Sequence, residues 1–159
     1  MAKAGYTIRT TSAVALSAAT AKSVLCVISP AQFGIDLVKF RIGFDGVTAS
    51  AVPVFWELCR STLATNSTPG TANTSETSNI QQVYGRAITT GFTGFSASTS
   101  EPTVLTVVES NYLTPTGGLL VYDCALGTSL EADVSAGIVL RLTAPATVNV
   151  RAGFWFERI

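Results

Sequence analysis

The chain has 159 residues, which is long enough for one domain with a sizeable buried core. Charged residues make up only 13% of the sequence, about half of the ~25% found in typical soluble domains. Ten basic residues balance ten acidic ones, and this net charge of zero is unlike the clustered positive charge of proteins that bind nucleic acids. Because net charge keeps free proteins apart, we expect another protein to cover much of this surface.

Apolar and polar residues alternate with a period of two along most of the chain, which predicts strands. The run 51–60 is apolar on both faces, which favours a central strand or one under a partner, while Pro53 within it favours an edge or a bulge. The last segment alternates most strictly, and its apolar face consists of Val148, Val150, Ala152, Phe154 and Phe156. In chain order, the predicted strands span residues 6–11, 23–29, 38–44, 51–60, 103–109, 119–126, 137–143 and 147–157.

About eight strands separated by Gly, Pro and Ser turn signals predict an all-β fold, an antiparallel β-sandwich, and we expect a jelly roll. In this interpretation residues 1–159 form a single domain, with residues 1–12 as an N-terminal arm. Residues 61–80 are small and polar and predict a long Ser/Thr-rich loop. Ordering such a loop costs ~1–2 kcal/mol per residue in backbone entropy, so we expect a neighbouring subunit to hold it.

The sequence offers little catalytic chemistry. It contains no histidine, which removes Ser-His-Asp triads, Cys-His dyads and the common zinc and iron sites. Phosphate-binding glycine motifs are absent, so we expect no enzyme, no cofactor and no metal. One alternative stays open, a glycosidase-like pair drawn from Glu57, Glu101, Glu109 and Asp123. Without a CxxC motif, we expect buried thiols in a reducing compartment at Cys26, Cys59 and Cys124.

No apolar run approaches the ~18 residues of a membrane span. The Ala- and Ser-rich segment 13–21 is too weakly hydrophobic for a secretory signal. We therefore expect a protein without a membrane partner that is made in a cytoplasm.

Candidate functional residues lie on the predicted surface. Phe92 and Phe95 stand in a Gly/Ser/Thr-rich loop, where they either anchor a partner or fold back over the core of their own chain. Tyr112 leaves the same two alternatives open. On the polar face of the last strand, Trp155 and Arg151 favour a subunit contact, the alternative being that Arg151 covers Trp155 on a solvated face. The full candidate interface is Arg141, Asn149, Arg151, Trp155, Phe92, Phe95 and Tyr112.

Three stretches of the second half resemble small β-rich structural proteins of tailed bacteriophages. They are EPTVLTVVE (101–109), ALGTSLE (125–131) and GIVLRLTAPATVNVRAGFWFE (137–157), and the most family-like piece is RLTAPATVNVRA at 141–152. The chain resembles capsid decoration (head cement) proteins and related minor virion proteins over residues 90–159.

The resemblance implies a jelly roll that assembles on an icosahedral shell, commonly as a homotrimer. The partners it implies are the major capsid protein and further copies of the chain. The role it implies is mechanical, since decoration proteins bridge capsid subunits and stabilise the head. It also implies a place on the capsid surface of the virion after synthesis in the bacterial cytoplasm.

Two alternatives stay open. One is a tail- or fibre-associated sandwich that binds host carbohydrate, with Trp155 as a platform flanked by Arg151 and Asn149. The other is a coat subunit that forms the shell itself. Coat proteins that contact a genome usually carry a basic arm, whereas this N-terminus has only Lys3 and Arg9.

Overall fold

The computed structural model describes residues 3–45, 52–62, 73–89, 91–99, 102, 104–125 and 127–159. Thirteen strands and two single turns of 3-10 helix, Thr77–Asn79 and Pro115–Gly117, make up the regular structure of this part of the chain. Among these residues no helix has the length and hydrophobicity needed to cross a membrane. Strands β1 to β13 are, in order, Gly5–Arg9, Val14–Leu16, Ala21–Ile28, Ile35–Phe44, Val54–Ser61, Thr74–Ser75, Gln81–Tyr84, Thr93–Ser96, Leu105–Leu113, Leu120–Asp123, Leu130–Ala132, Gly137–Thr143 and Val148–Arg158.

The strands form two sheets that pack face to face. The seven-stranded sheet has the order β10–β4–β13–β1–β7, with β11 also paired to β4 and β2 also paired to β13. The six-stranded sheet has the order β6–β8–β3–β12–β5–β9. Every pairing between these strands is antiparallel. The prediction of an all-β antiparallel sandwich is confirmed.

Each of the eight predicted segments contains a strand, with boundaries shifted by a few residues. The run 51–60 corresponds to β5, which lies inside its sheet between β12 and β9. Pro53 precedes the first residue of β5, so it takes no donor out of the ladder. The strands that the alternation does not predict, β2, β6, β7, β8 and β11, have at most four residues each.

The N-terminal arm is a prediction that the structure corrects for residues 3–12. Strand β1 pairs on one side with β13 and on the other with β7. Lys3, just before it, forms ion pairs with Glu157 and, at 3.4 Å, with Asp36. The segment is an interior part of the sheet because it is paired on both edges, and Tyr6 and Ile8 bury their side chains between the sheets.

The closing strand β13 is the central strand of its sheet. It pairs along one side with β4 and along the other with β1 and β2, so its backbone groups are bonded on both sides. Its inward residues are buried, as the alternation predicts, and Phe154 and Phe156 are among the largest fully buried side chains. The strand therefore seals the core although it lies at the end of the chain.

The segment between β5 and β9 closes one side of the sandwich. Strand β7 extends one sheet beside β1, and β8 extends the other beside β3. Residues 63–72 of the predicted loop lie outside the described part of the chain. Residues 73–80 contain β6 and a 3-10 turn, and the buried carboxylate of Glu76 binds Thr11, Asn79 and Ser96. The described part of this loop is thus held by its own chain, whereas the sequence predicts a neighbouring subunit for that role.

Two clusters of buried apolar residues hold the sheets. The larger cluster lies between the two sheets. Along β3, β5 and β12, residues of the smaller cluster alternate with residues of the larger one. The smaller cluster therefore lies on the opposite face of the six-stranded sheet. Its members are Cys26, Ile28, Cys59, Phe95 and Val139.

Candidate functional site

The glycosidase candidates that the structure describes lie on three strands, with Glu57 on β5, Glu109 on β9 and Asp123 on β10. Glu57, on β5, binds Arg141 at 2.7 Å, and Asp123, on β10 of the other sheet, binds Lys39 at 2.8 Å. Glu101 lies outside the described residues. Among the described residues, no group of three or more His, Cys, Asp or Glu side chains is placed to hold a metal ion.

Phe92 and Phe95 belong to the core. Phe92 is 4% exposed, and its ring contacts those of Tyr6 and Phe156 at centroid distances of 5.4 and 5.2 Å. Phe95 is 1% exposed and belongs to the smaller cluster. Of the two alternatives for these residues, the structure favours aromatics that fold back over their own chain, and neither ring is available to anchor a partner.

Tyr112 has the opposite environment. It lies on β9 with 67% of its surface exposed and contacts Phe55 at a centroid distance of 5.2 Å. Of the three aromatic candidates outside the last strand, it is the one that a partner can reach.

Tyr112 lies on one side of the sandwich, which we call the open side. It is formed by β9 and β10, the end strands of the two sheets, on the side of the sandwich away from β7 and β8. Of the thirteen exposed large hydrophobic residues in the described chain, seven lie between residues 104 and 122. They are Val104, Val107, Val108, Tyr112, Leu119, Val121 and Tyr122.

Among the described residues, no strand pairs with the outer edge of either end strand. Within the described chain, β9 pairs only with β5 and β10 pairs only with β4. A groove of about 110 Å³ runs between them, bordered by Val108, Glu109, Tyr122 and Cys124. Burial raises the pKa of the Cys124 thiol above its ordinary value of 9.0, so this groove carries no thiolate at neutral pH. The exposed large side chains of the open side are apolar.

A second surface, the arginine face, covers the outside of the seven-stranded sheet. It comprises Arg9, Arg41, Arg151, Asn149 and Trp155, contributed by β1, β4 and β13. Arg9 and Arg41 stand on either side of Gly153, and Arg151 precedes that glycine by two residues. The sequence identifies Asn149, Arg151 and Trp155 as one face, but not Arg9 or Arg41, which join them only through strand pairing.

Trp155 is covered by Arg41 and not by Arg151. The guanidinium carbon of Arg41 lies 4.8 Å from the centroid of the Trp155 ring, and Lys39 Nζ lies 5.8 Å from it. Asn149 and Arg151 instead border a cavity of about 330 Å³ that Trp155 does not line. The predicted sugar platform of these three residues is therefore divided between two sites.

Arg141 lies apart from the other candidates. It is on β12 of the six-stranded sheet, opposite Glu57 in the register, and the two side chains form a partly buried ion pair. Arg141 therefore does not contribute to the arginine face.

Comparison with known proteins identifies no relative of this chain. The sequence matches no protein-family model, and searches of curated proteins and of solved structures find no similar protein. The likeness to phage decoration proteins accordingly stays a prediction from the sequence stretches that carry it.

Proposed function

We propose that this chain is a structural virion protein, a decoration subunit that binds the capsid of a tailed bacteriophage and stabilises the head by bridging capsid subunits. It acts through buried surface and not through catalysis. The resemblance of residues 90–159 to decoration proteins supports this proposal, and it favours a homotrimer with the major capsid protein as the second partner.

The order of the strands supports a jelly roll. When β6 to β8 and the short strands β2 and β11 are left out, the two sheets have the orders β1–β13–β4–β10 and β3–β12–β5–β9. Along the chain, successive strands of this set of eight lie in alternate sheets. The exception is β5 and β9, which are neighbours in the same sheet. We infer from this order two interlocked Greek keys, the arrangement that defines jelly rolls and that occurs in viral capsid proteins.

The observation that carries the proposal is the open side. Unpaired strand edges invite further strands, and proteins that remain monomeric usually protect such edges with charge, proline or covering elements. Here the edge strand β9 has valines where a protected edge would have lysines, and Glu109 is its one charged residue. With a net charge of zero, little electrostatic repulsion opposes association through this surface.

Deleting the gene from the bacteriophage that encodes it tests the role directly. We expect complete heads that release their genome at lower temperature or lower osmotic stress than wild-type heads, as seen by electron microscopy after the stress. Normal, equally robust heads with lost adsorption would instead identify a receptor-binding module. The absence of shells would identify a coat subunit.

A solution measurement tests the surface. Analytical ultracentrifugation of the purified protein should detect an oligomer, and Val108→Lys should shift it to monomer, because lysine places a charge in the apolar edge. Val83→Lys is the matched control, since Val83 is also exposed, 57% against 47%, and lies on β7 at the opposite side of the sandwich. A wild-type monomer at all concentrations, or equal effects of both variants, would contradict assembly through this edge.

A further inference from the structure

The arginine face contains a cavity that has Gly43 on its border. Gly153 lies directly between Arg9 and Arg41, and Gly43 lies opposite Arg151. A β-carbon on Gly153 would lie 2.9 Å from Nε of Arg41, so the side chain of Arg41 extends over the bare backbone at this position. Arg9, Arg41 and Arg151 border the cavity around Gly43.

The arginines of this cavity have no polar partner in the part of the chain that the structure describes. Ion pairs involve other basic residues, such as Arg141 with Glu57 and Lys39 with Asp123. The guanidinium of Arg41 stacks on Trp155. Among the described residues, no aromatic ring lies under the guanidinium of Arg9 or Arg151.

The cavity therefore has an excess of positive charge. Among the described residues on its border, Asp45 is the one carboxylate, and it accepts a hydrogen bond from the Asn149 amide at 2.7 Å. Three arginines and one aspartate give a formal charge of +2, in a protein whose total is zero. Guanidinium groups bind carboxylate and phosphate through paired hydrogen bonds, so this charge fits an oxyanion.

The cavity is also larger and less polar than a site for a bare oxyanion. Its volume of about 330 Å³ is in the lower range of pockets that hold small organic molecules. Phe44 and Leu119 provide an apolar part of the border, next to the arginines. A ligand that fills it needs an anionic group and an organic body of about one sugar ring.

We propose that this cavity binds an acidic sugar unit, with a carboxylate or a phosphate at Arg9, Arg41 and Arg151 and the sugar ring against Phe44 and Leu119. Uronic acids and sugar phosphates share this chemistry. The cavity shares Leu119 with the open side but none of the residues that border its groove, and the proposal does not depend on the place of the protein in a virion.

Isothermal titration calorimetry with four probes tests the ligand class. We expect glucuronate and a glucose phosphate to bind with dissociation constants on the order of 0.1–1 mM, and glucose and inorganic phosphate to bind at least about tenfold more weakly, since each lacks one half of the recognised group. Glucuronate and the glucose phosphate distinguish the two anionic groups. Glucose binding as well as glucuronate, inorganic phosphate binding as well as the glucose phosphate, or no binding of either charged sugar would overturn the proposal.

Variants test the site. Arg41→Gln and Arg151→Gln should each weaken binding about ten- to hundredfold, since each removes a charge-assisted hydrogen-bond donor. Gly153→Ala should weaken it as well, because the new methyl group displaces Arg41 while the charge stays the same.

Arg86→Gln is the matched control, because Arg86 is exposed and lies outside the cavity. We expect it to leave the affinity within a factor of about two. An equal loss in Arg86→Gln and Arg41→Gln would mean unspecific attraction and would overturn the site. In the wild-type protein, the backbone amide signals of Gly43 and Gly153 should shift on titration with glucuronate; shifts confined to other regions would also overturn it.

Discussion

Ser96 donates a hydrogen bond of 2.6 Å to the carboxylate of Glu76, and both side chains are buried. Glu76 also accepts hydrogen bonds from the backbone N–H of Thr11, at 2.9 Å, and from the side chains of Thr11 and Asn79. Its own backbone N–H donates to Gly94 at 2.7 Å. One carboxylate thus ties the turn after β6 to β8 and to the end of β1, and so closes one side of the sandwich.

Replacing Glu76 by glutamine should destabilise the protein by about 2 kcal/mol at neutral pH, because a neutral amide accepts these hydrogen bonds less well and buries a donor without a partner. Burial alone would raise the pKa of Glu76, but the hydrogen bonds from Ser96, Thr11 and Asn79 outweigh it and hold the pKa below 4.5. A lowered folded-state pKa means that this stabilisation is present above pH 4.5 and is lost as the pH falls toward the folded-state value.

Urea unfolding of wild type and Glu76→Gln, followed by Trp fluorescence from neutral to acidic pH, checks this prediction. The difference in free energy of unfolding should shrink below about pH 4.5. Glu131→Gln, on the exposed side of β11, is the control and should change stability by less than about 0.5 kcal/mol. A pH-independent difference would show that Glu76 stabilises through packing and not through its charge.

The environments of Phe92 and Tyr112 predict opposite results for truncation. Phe92→Ala should destabilise the protein by about 3–5 kcal/mol, because it leaves a cavity between the rings of Tyr6 and Phe156. Tyr112→Ala should cost about 1 kcal/mol or less, since it loses only the contact with Phe55 on an exposed face. Thermal unfolding of both variants measures the difference, and similar losses would contradict the assignment of Phe92 to the core.

The strands with long alternating patterns could be predicted because burial on one face is recorded locally, in every second residue. Val148 to Phe156 in β13 is the clearest case, and its inward face is buried as expected. The side of the sandwich that the segment between β5 and β9 closes could not be predicted in this way. It depends on Glu76, a single charged residue in a polar run, whose partners Thr11 and Ser96 lie 65 and 20 residues away.

At the arginine face too, the sequence predicts relationships within one strand but not those between strands. Arg151 and Trp155 are two steps apart on one strand, so their common face follows from the sequence. Arg9 and Arg41 join them only through the pairing of β1 and β4 with β13, which is a long-range relationship. Without that pairing, the stacking of Trp155 would be assigned to Arg151, its neighbour in sequence, and not to Arg41.

The thiols should differ in reactivity according to their burial. Burial raises the pKa of Cys26 to about 12, and Cys59 is fully buried as well, so neither should react with a thiol reagent at pH near neutrality in the folded state. Cys124 is partly exposed and should be the one thiol that reacts slowly. Titration with a chromogenic disulfide before and after denaturation checks this. Native Cys124→Ser protein should give no signal, and a signal from it would contradict the burial of the other two thiols.

The contact between Ile8 and Gly94 allows a test of packing between β1 and β8. A β-carbon on Gly94 would lie 2.0 Å from Cδ1 of Ile8, a buried side chain in the main core. Gly94→Ala should therefore destabilise the protein by about 1–3 kcal/mol through overpacking. Ile8→Val alone should cost about 0.5–1.5 kcal/mol, because it deletes this Cδ1 methyl group.

The double variant distinguishes this clash from a general loss of strand flexibility. In Gly94→Ala with Ile8→Val, the methyl group added on one strand takes the space of the one removed from the other, so the double variant should be more stable than the sum of the single losses by about 1 kcal/mol. Urea unfolding of the four proteins gives this coupling energy. Additive losses would mean that the methyl groups do not compete for the same space, and that the two strands are farther apart than the close approach of Gly94 and Ile8 requires.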